Sequence, residues 1–186
     1  KLKKILQAPF TLHKSMLEFI QIEIDNALKG EPARIIARMN SLVEPEIIKA
    51  LYRASQAGVK VDLIVRGICC LKPGIKGVSD NIQVRSIIGR FLEHSRIFYF
   101  HNAGDIQLFG SSADWMDRNF FRRIETCFPI EDKRMKKKVV KECLQNYLSD
   151  NTQSWILQPD GSYKKSVLAG SKAKSAQQRL LKSYTG

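Results

Sequence analysis

One short run gathers groups suited to phosphate chemistry, Arg90-Phe91-Leu92-Glu93-His94-Ser95-Arg96, and a second follows it, Gly110-Ser111-Ser112-Ala113-Asp114-Trp115-Met116-Asp117-Arg118-Asn119. An imidazole can act as nucleophile or proton carrier, and a guanidinium grips phosphate oxygens with paired donors. Arg90, Arg96 and Arg118 flank His94, while Gly110-Ser111-Ser112 leaves room for backbone to approach an anion beside two hydroxyls. A lone histidine is more often structural. The arginines and the small hydroxyl residues around His94 make this a candidate phosphate site.

A hairpin must bring the two runs together. Ile97 to Phe100 and Ile106 to Phe109 are apolar, and Asn102-Ala103-Gly104-Asp105 between them is a turn by composition. One strand then starts at the His-x-Arg step and the other ends in the Gly-Ser step. Upstream, residues 11–29 carry apolar side chains at helical spacing and stop at Gly30 and Pro32. His13 at the start of that run is expected to be solvated. Ala33 to Met39 and Val59 to Val65 are strands, separated by a helix with Pro45 in its first turn and Gly58 at its end. That βαβ pattern predicts parallel strands. It places Asn40 and Arg66 at carboxyl ends of strands, where ligands of open α/β sheets sit. From position alone Arg66 is equally a surface arginine. Residues 71–81 are a loop in which Lys72 and Lys76 could approach phosphate, although a solvated loop explains them as well. Further strands are expected over Ile82 to Ile88 and Ile124 to Ile130, and helices over Trp115 to Phe120 and Asp132 to Leu148. Arg122 and Arg123 precede a strand, so at most one of them faces the site. The lysines and arginine at 133–138 form a basic face expected to be solvated.

The chain has 186 residues, 44% hydrophobic, enough for one domain with a sizeable core. Lys plus Arg number 31 against 18 Asp plus Glu, a net charge of +13 that predicts a polyanionic partner: nucleic acid, inorganic phosphate chains or acidic lipid. Aromatic residues, 9% of the chain, are not interleaved with the basic ones, which gives stacking on bases little support. No apolar run approaches the roughly 20 residues that span a bilayer. Cys69 and Cys70 are adjacent, with Cys127 and Cys143 far off, and no Cys-x-x-Cys spacing exists. Reduced thiols in a cytoplasmic protein are expected, without a zinc or redox role. The chain starts at Lys1, shows no signal peptide, and is expected to be a piece of a longer protein. Its end, 161–186, is a basic tail with room for a short helix over Ser175 to Tyr184 and otherwise open to mobility.

His94-x-Arg96 followed by Gly110-Ser111-x-x-x-Trp115 resembles one half-motif of the phospholipase D superfamily, usually His-x-Lys, then Asp, then Gly-Ser. Arg96 stands where Lys is usual, and His101 stands at the expected Asp. Longer words carry a narrower likeness. Met39-Asn40-Ser41-Leu42-Val43, Leu63-Ile64-Val65-Arg66-Gly67-Ile68-Cys69-Cys70-Leu71, Arg85 to Arg96 and Ser111-Ser112-Ala113-Asp114-Trp115-Met116 are similar, in order, to the C-terminal domain of bacterial polyphosphate kinase. The likeness covers residues 1–150 well and the tail less so.

That resemblance implies an α/β fold, a phospholipase D-like mixed sheet flanked by helices, with 1–186 a single C-terminal domain. It implies reversible transfer of the ATP γ-phosphate to inorganic polyphosphate through a phosphohistidine in the preceding domain. His94 would be a second, catalytic histidine. Arg66, Arg118 and Arg123, together with His94 itself, would bind the ATP phosphates, with Asn40, Lys72, Arg90, Arg96, Ser111 and Ser112 lining the phosphate site. Magnesium would accompany ATP and be liganded outside this chain, with no metal ligands within it. The partners implied are ATP or ADP, polyphosphate and the upstream domains of the same chain, in a homo-oligomer that is cytoplasmic with room for peripheral membrane association and expects no nucleic acid. Two rivals remain: a phospholipase D-like phosphodiesterase or nuclease working through a covalent His94, and a non-catalytic basic module for nucleic acid.

Overall fold

The structure, a computed structural model, describes residues 4–166 and 172–185. Its centre is the βαβ unit: β2 (Arg34–Met39), α2 (Pro45–Gln56) and β3 (Lys60–Val65). β2 and β3 run parallel, from Arg34 opposite Lys60 to Met39 opposite Val65. β4 (Ile82–Ile87) extends the sheet parallel to β3. β5 (Ile97–Phe100) and β6 (Gln107–Ser111) form the expected hairpin, with Ile97 opposite Gly110. β5 lies antiparallel on the other flank of β2, Arg38 opposite Ile97. β7 (Glu125–Pro129) follows antiparallel to β6, giving the mixed sheet expected.

Three short strands complete it: β1 (Leu6–Ala8) beyond β7, and β8 (Ser154–Leu157) then β9 (Tyr163–Lys165) beyond β4, so the order is β1-β7-β6-β5-β2-β3-β4-β8-β9. None was expected from the sequence. They are three or four residues long, and all of β9 is exposed, so neither length nor alternation marks them.

The two faces of the sheet are covered differently. Ile35, Ala37 and Met39 of β2 pack with Leu12, Met16 and Ile20 of α1 (Leu12–Leu28) and Ile47 and Leu51 of α2. Ile36 points the other way, to Leu144. Burial on both faces is why β2 and β3 are near-continuous apolar runs. The second face is closed by the predicted long helix, which is interrupted: α4 (Lys133–Val139), a π-helical stretch Val140–Gln145, and α5 (Asn146–Leu148). Its basic face is not wholly solvated, because Lys136 is half-buried and its Nζ donates to the Ile106 carbonyl, 2.7 Å. α3 (Asp117–Phe121) starts after Trp115, which is fully buried and bridges to Leu42. α6 (Ala176–Thr185) fulfils the helix expected in the tail, and the part of the tail at 167–171 lies outside the described residues. Among the described residues no helix is long and apolar enough to cross a membrane.

Candidate functional site

Strand direction decides which loops meet. β2, β3 and β4 end at one edge of the sheet, β5 and β7 begin there, and β6 ends there. Asn40, Arg66, the connection holding Arg90, His94 and Arg96, the Ser111-Ser112 step, and the α3 segment holding Arg118 and Arg123 therefore all lie along this edge. Lys72 is not brought to them. Its backbone N–H donates to the Tyr52 hydroxyl of α2, 2.9 Å, and its side chain is exposed. His101 is at the far end of β5, where its Nδ1 lies 3.0 Å from the Pro32 carbonyl.

The groups along the edge divide into free and occupied. His94 is exposed, and among the described residues its ring has no hydrogen-bond partner. Arg66, half-buried, and Arg90, Arg118 and Arg123, exposed, have no carboxylate within ion-pair distance among the described residues. Arg122, the neighbour of Arg123, turns instead to Asp117, 3.4 Å. Asn40 is 8% exposed, and its side-chain Nδ2 is buried without a partner. A cleft of about 20 Å³, room for about one water, is lined by Asn40, Arg66, Glu93 and Ser95. Asn40 and Arg66 thus meet beside the backbone on either side of His94, while Arg90, Arg118 and Arg123 are exposed elsewhere along the edge. A buried amide without an acceptor is costly, and an anion at this edge would satisfy it.

Arg96 is occupied. Its Nε and Nη2 donate to the two carboxylate oxygens of buried Asp114, 3.0 and 3.1 Å, and its Nη1 to the His94 carbonyl, 3.1 Å. Asp114 Oδ1 also accepts from the Asn40 N–H, 2.7 Å. A fork held at both ends positions backbone, so Arg96 supports His94 and Asn40 from behind. Asp114 was not anticipated; its pairing partners are distant in sequence and only the fold joins them. The hydroxyls are occupied too. Ser111 Oγ donates to the Thr126 carbonyl, 3.1 Å, and Ser112 Oγ donates to Glu125 Oε2 and accepts from Thr126 N, 3.1 Å. Gly110 leaves room for a ring and not for an anion: a Cβ there would lie 2.7 Å from Cζ of Phe128, its cross-strand neighbour.

Two further groups at this edge escaped the sequence. His13 is half-buried, its ring 5.0 Å from Phe120 and 4.8 Å from Phe121, and its Nε2 lies 3.2 Å from Glu44 Oε2. Glu93 is the second. It accepts from Tyr147, pairs with Arg38 Nη2 at 3.0 Å, and accepts from Gln177 Nε2 at 3.0 Å. Burial pushes the Tyr147 hydroxyl well above the ordinary tyrosine range, so it stays a donor.

Unpaired guanidinium groups, an orphaned amide and an exposed imidazole lie along one edge of a mixed α/β sheet flanked by helices, a fold of the phospholipase D type. The fold is shared with Nuc, a phospholipase D family member from Salmonella typhimurium, at a TM-score of 0.58 and 13% identity over 83% of this chain and 97% of that one. The profile of the polyphosphate kinase C-terminal domain 2 matches residues 5–178, and the chain belongs to that family. The crystal structure of a polyphosphate kinase from Porphyromonas gingivalis superposes at a TM-score of 0.94 with 37% identity, over 98% of this chain and 28% of that one. A polyphosphate kinase from Pseudomonas syringae pv. tomato is 61% identical over 182 residues, 97% of this chain and 25% of its own length. One from Pseudomonas aeruginosa is 62% identical over 165 residues, 89% of this chain and 24% of its own length. The chain thus spans about a quarter of the length of these curated relatives.

Proposed function

We propose that this chain is the nucleotide-phosphate-handling part of a polyphosphate kinase, which moves the γ-phosphoryl group of ATP onto a histidine of an upstream domain and then onto the end of a polyphosphate chain. The observation that carries the proposal is the set of unpaired donors, Arg66, Arg118, Arg123 and Asn40 Nδ2, gathered at the edge that presents His94. In the first step the bond between the γ-phosphorus and the β,γ-bridging oxygen breaks, and a bond from phosphorus to imidazole nitrogen forms, releasing ADP. In the second, the bond from phosphorus to imidazole nitrogen breaks as a terminal polyphosphate oxygen bonds to that phosphorus, which frees the histidine and lengthens the chain by one phosphate. The free guanidinium groups hold and neutralise the phosphate oxygens, and His94 orients or protonates the moving group. The cleft lined by Asn40, Arg66, Glu93 and Ser95 has room for about one water, so the nucleotide lies on the open side of the edge, against the rest of the protein. Magnesium would accompany ATP, offset the charge of its phosphates and be liganded outside this chain. A cytoplasmic homo-oligomer that admits peripheral membrane contact and no nucleic acid is part of the same proposal, supported by the family alone.

The test uses the full-length protein containing this chain, parent and Arg66→Lys, with ATP labelled at the γ-position. Label is expected in acid-insoluble polyphosphate. Arg66→Lys should lower kcat/KM by about tenfold or more, since Lys keeps the charge and loses the fork. Equal activity would remove Arg66 from the phosphate site. Diester cleavage of DNA by the parent, without polyphosphate synthesis, would favour the nuclease reading.

A further inference from the structure

His94 sits in a connection, residues 88–96, that has no helix or strand, yet a general acid must be held to a fraction of an ångström. Arg96 fixes the carbonyl of His94 from the downstream side. The upstream side is held by a residue far along the chain. Gln177, in the first turn of α6 and 5% exposed, clasps Phe91 at both backbone groups: its Oε1 accepts from Phe91 N–H, 3.0 Å, and its Nε2 donates to the Phe91 carbonyl, 2.8 Å. The same Nε2 donates to Glu93 Oε2, 3.0 Å, and Glu93 Oε1 is held by Arg38 Nη2, 3.0 Å, and by the Tyr147 hydroxyl. Arg38 is itself fixed over the Tyr147 ring, 3.6 Å from its centroid, with Nη1 donating to the Cys143 carbonyl, 3.3 Å. A side chain that serves only to dock α6 would not match both the donor and the acceptor of one backbone residue two positions from the distant Glu93. Gly89 opens the connection where a Cβ would overlap the side-chain oxygens of Gln153 and Gln177.

We infer that Gln177 and Glu93 are positioning residues for the phosphoryl transfer, setting the course of Phe91 to Ser95 and so the direction in which His94 faces. The inference rests on the reading of His94 given above. It assigns to α6 a part in the chemistry, although α6 lies outside the phosphate-binding edge.

The test is a double-variant cycle in the full-length protein: parent, Gln177→Leu, His94→Ala and the pair combined. Leucine nearly keeps the volume of Gln177 and removes every hydrogen bond. In the parent background Gln177→Leu should lower kcat for polyphosphate synthesis by about tenfold, with KM for ATP within about twofold because Arg66 directly follows β3, outside the 88–96 connection, and is not moved. In the His94→Ala background the same substitution should cost less than about twofold, since there is no imidazole left to misplace. A loss of active protein would instead scale both backgrounds alike, and equal fold-losses in the two overturn the inference. So does a Gln177→Leu enzyme with parental kcat. His94→Ala with parental activity would overturn the reading of His94 itself, and the positioning role with it. Amide exchange gives an independent measure: residues 89–95 of full-length Gln177→Leu should exchange at least about tenfold faster than in the parent, while β2 and β3 stay protected. Unchanged exchange at 89–95 overturns the inference even where activity falls.

Discussion

At the scale of single residues, the site is a contrast between arginines with partners and arginines without. Arg96 is committed to Asp114 through two nearly equal bonds, 3.0 and 3.1 Å, and Asp114 is 5% exposed. Removing one partner of such a pair leaves a charge stranded in a medium that solvates it poorly. Arg96→Ala should therefore cost about 3 kcal/mol of stability. Arg96→Lys, which restores the residue usual in the phospholipase D half-motif, should cost about 1 kcal/mol, because it keeps the charge and one of two bonds. Urea denaturation of the two variants against the parent measures the difference, and equal losses would show that the fork does not matter. The sequence makes Arg66, Arg96, Arg118 and Arg123 look alike, each a guanidinium near a strand end or, for Arg118, in the short helix after the hairpin. Only the fold separates them, since the carboxylate that neutralises Arg96 comes from the far side of the hairpin. Asn40 was legible for its place after β2, while its unpaired amide was not, because an orphaned donor is a fact about neighbours.

At the scale of elements, the readable parts were those with length and periodicity. The βαβ unit, the hairpin and α1 follow from apolar spacing, and their pairing came out as expected. The edge strands β1, β8 and β9 did not, being too short and too polar to show a period. The start of α2 shows a subtler gap. Pro45 and Glu46 were recognisable at its first turn, and the cap is Glu44, whose Oε2 accepts from Ile47 N–H at 2.7 Å. Glutamate is not among the preferred capping residues. Here it is 4% exposed and also paired with His13 at 3.2 Å, which joins the starts of α1 and α2. Glu44→Ala should then cost about 2 kcal/mol, the upper end for a lost cap. It should also loosen His13, whose ring proton resonances would move toward those of an exposed histidine. A loss within a few tenths of a kcal/mol, with unmoved His13 signals, would make the cap incidental.

At the scale of the whole molecule, the described residues form a sheet covered on both faces but an edge left half-built. Arg90, Arg118 and Arg123 are exposed along that edge, as are Leu92 and Ile124, 74% and 86% exposed. Residues 1–186 alone should thus melt cooperatively and make no polyphosphate from ATP, since transfer needs nucleophile, nucleotide and countercharge held together. Incubation of the isolated chain with γ-labelled ATP and magnesium should leave it unlabelled. Acid-labile label that disappears in His94→Ala would instead make the chain self-sufficient and His94 the nucleophile. The clasp of Gln177 on Phe91 also has a consequence for biosynthesis. The ribosome delivers Phe91 to Glu93 long before Gln177, and β2 to β7 can collapse in the interval. The framework of the sheet is thus complete while the peptide bearing His94 still lacks its far anchor. On the positioning role inferred for Gln177, a nascent protein arrested short of α6 would be folded and protease-resistant in its centre, while the course of the peptide bearing His94 would be set only on the emergence of one glutamine.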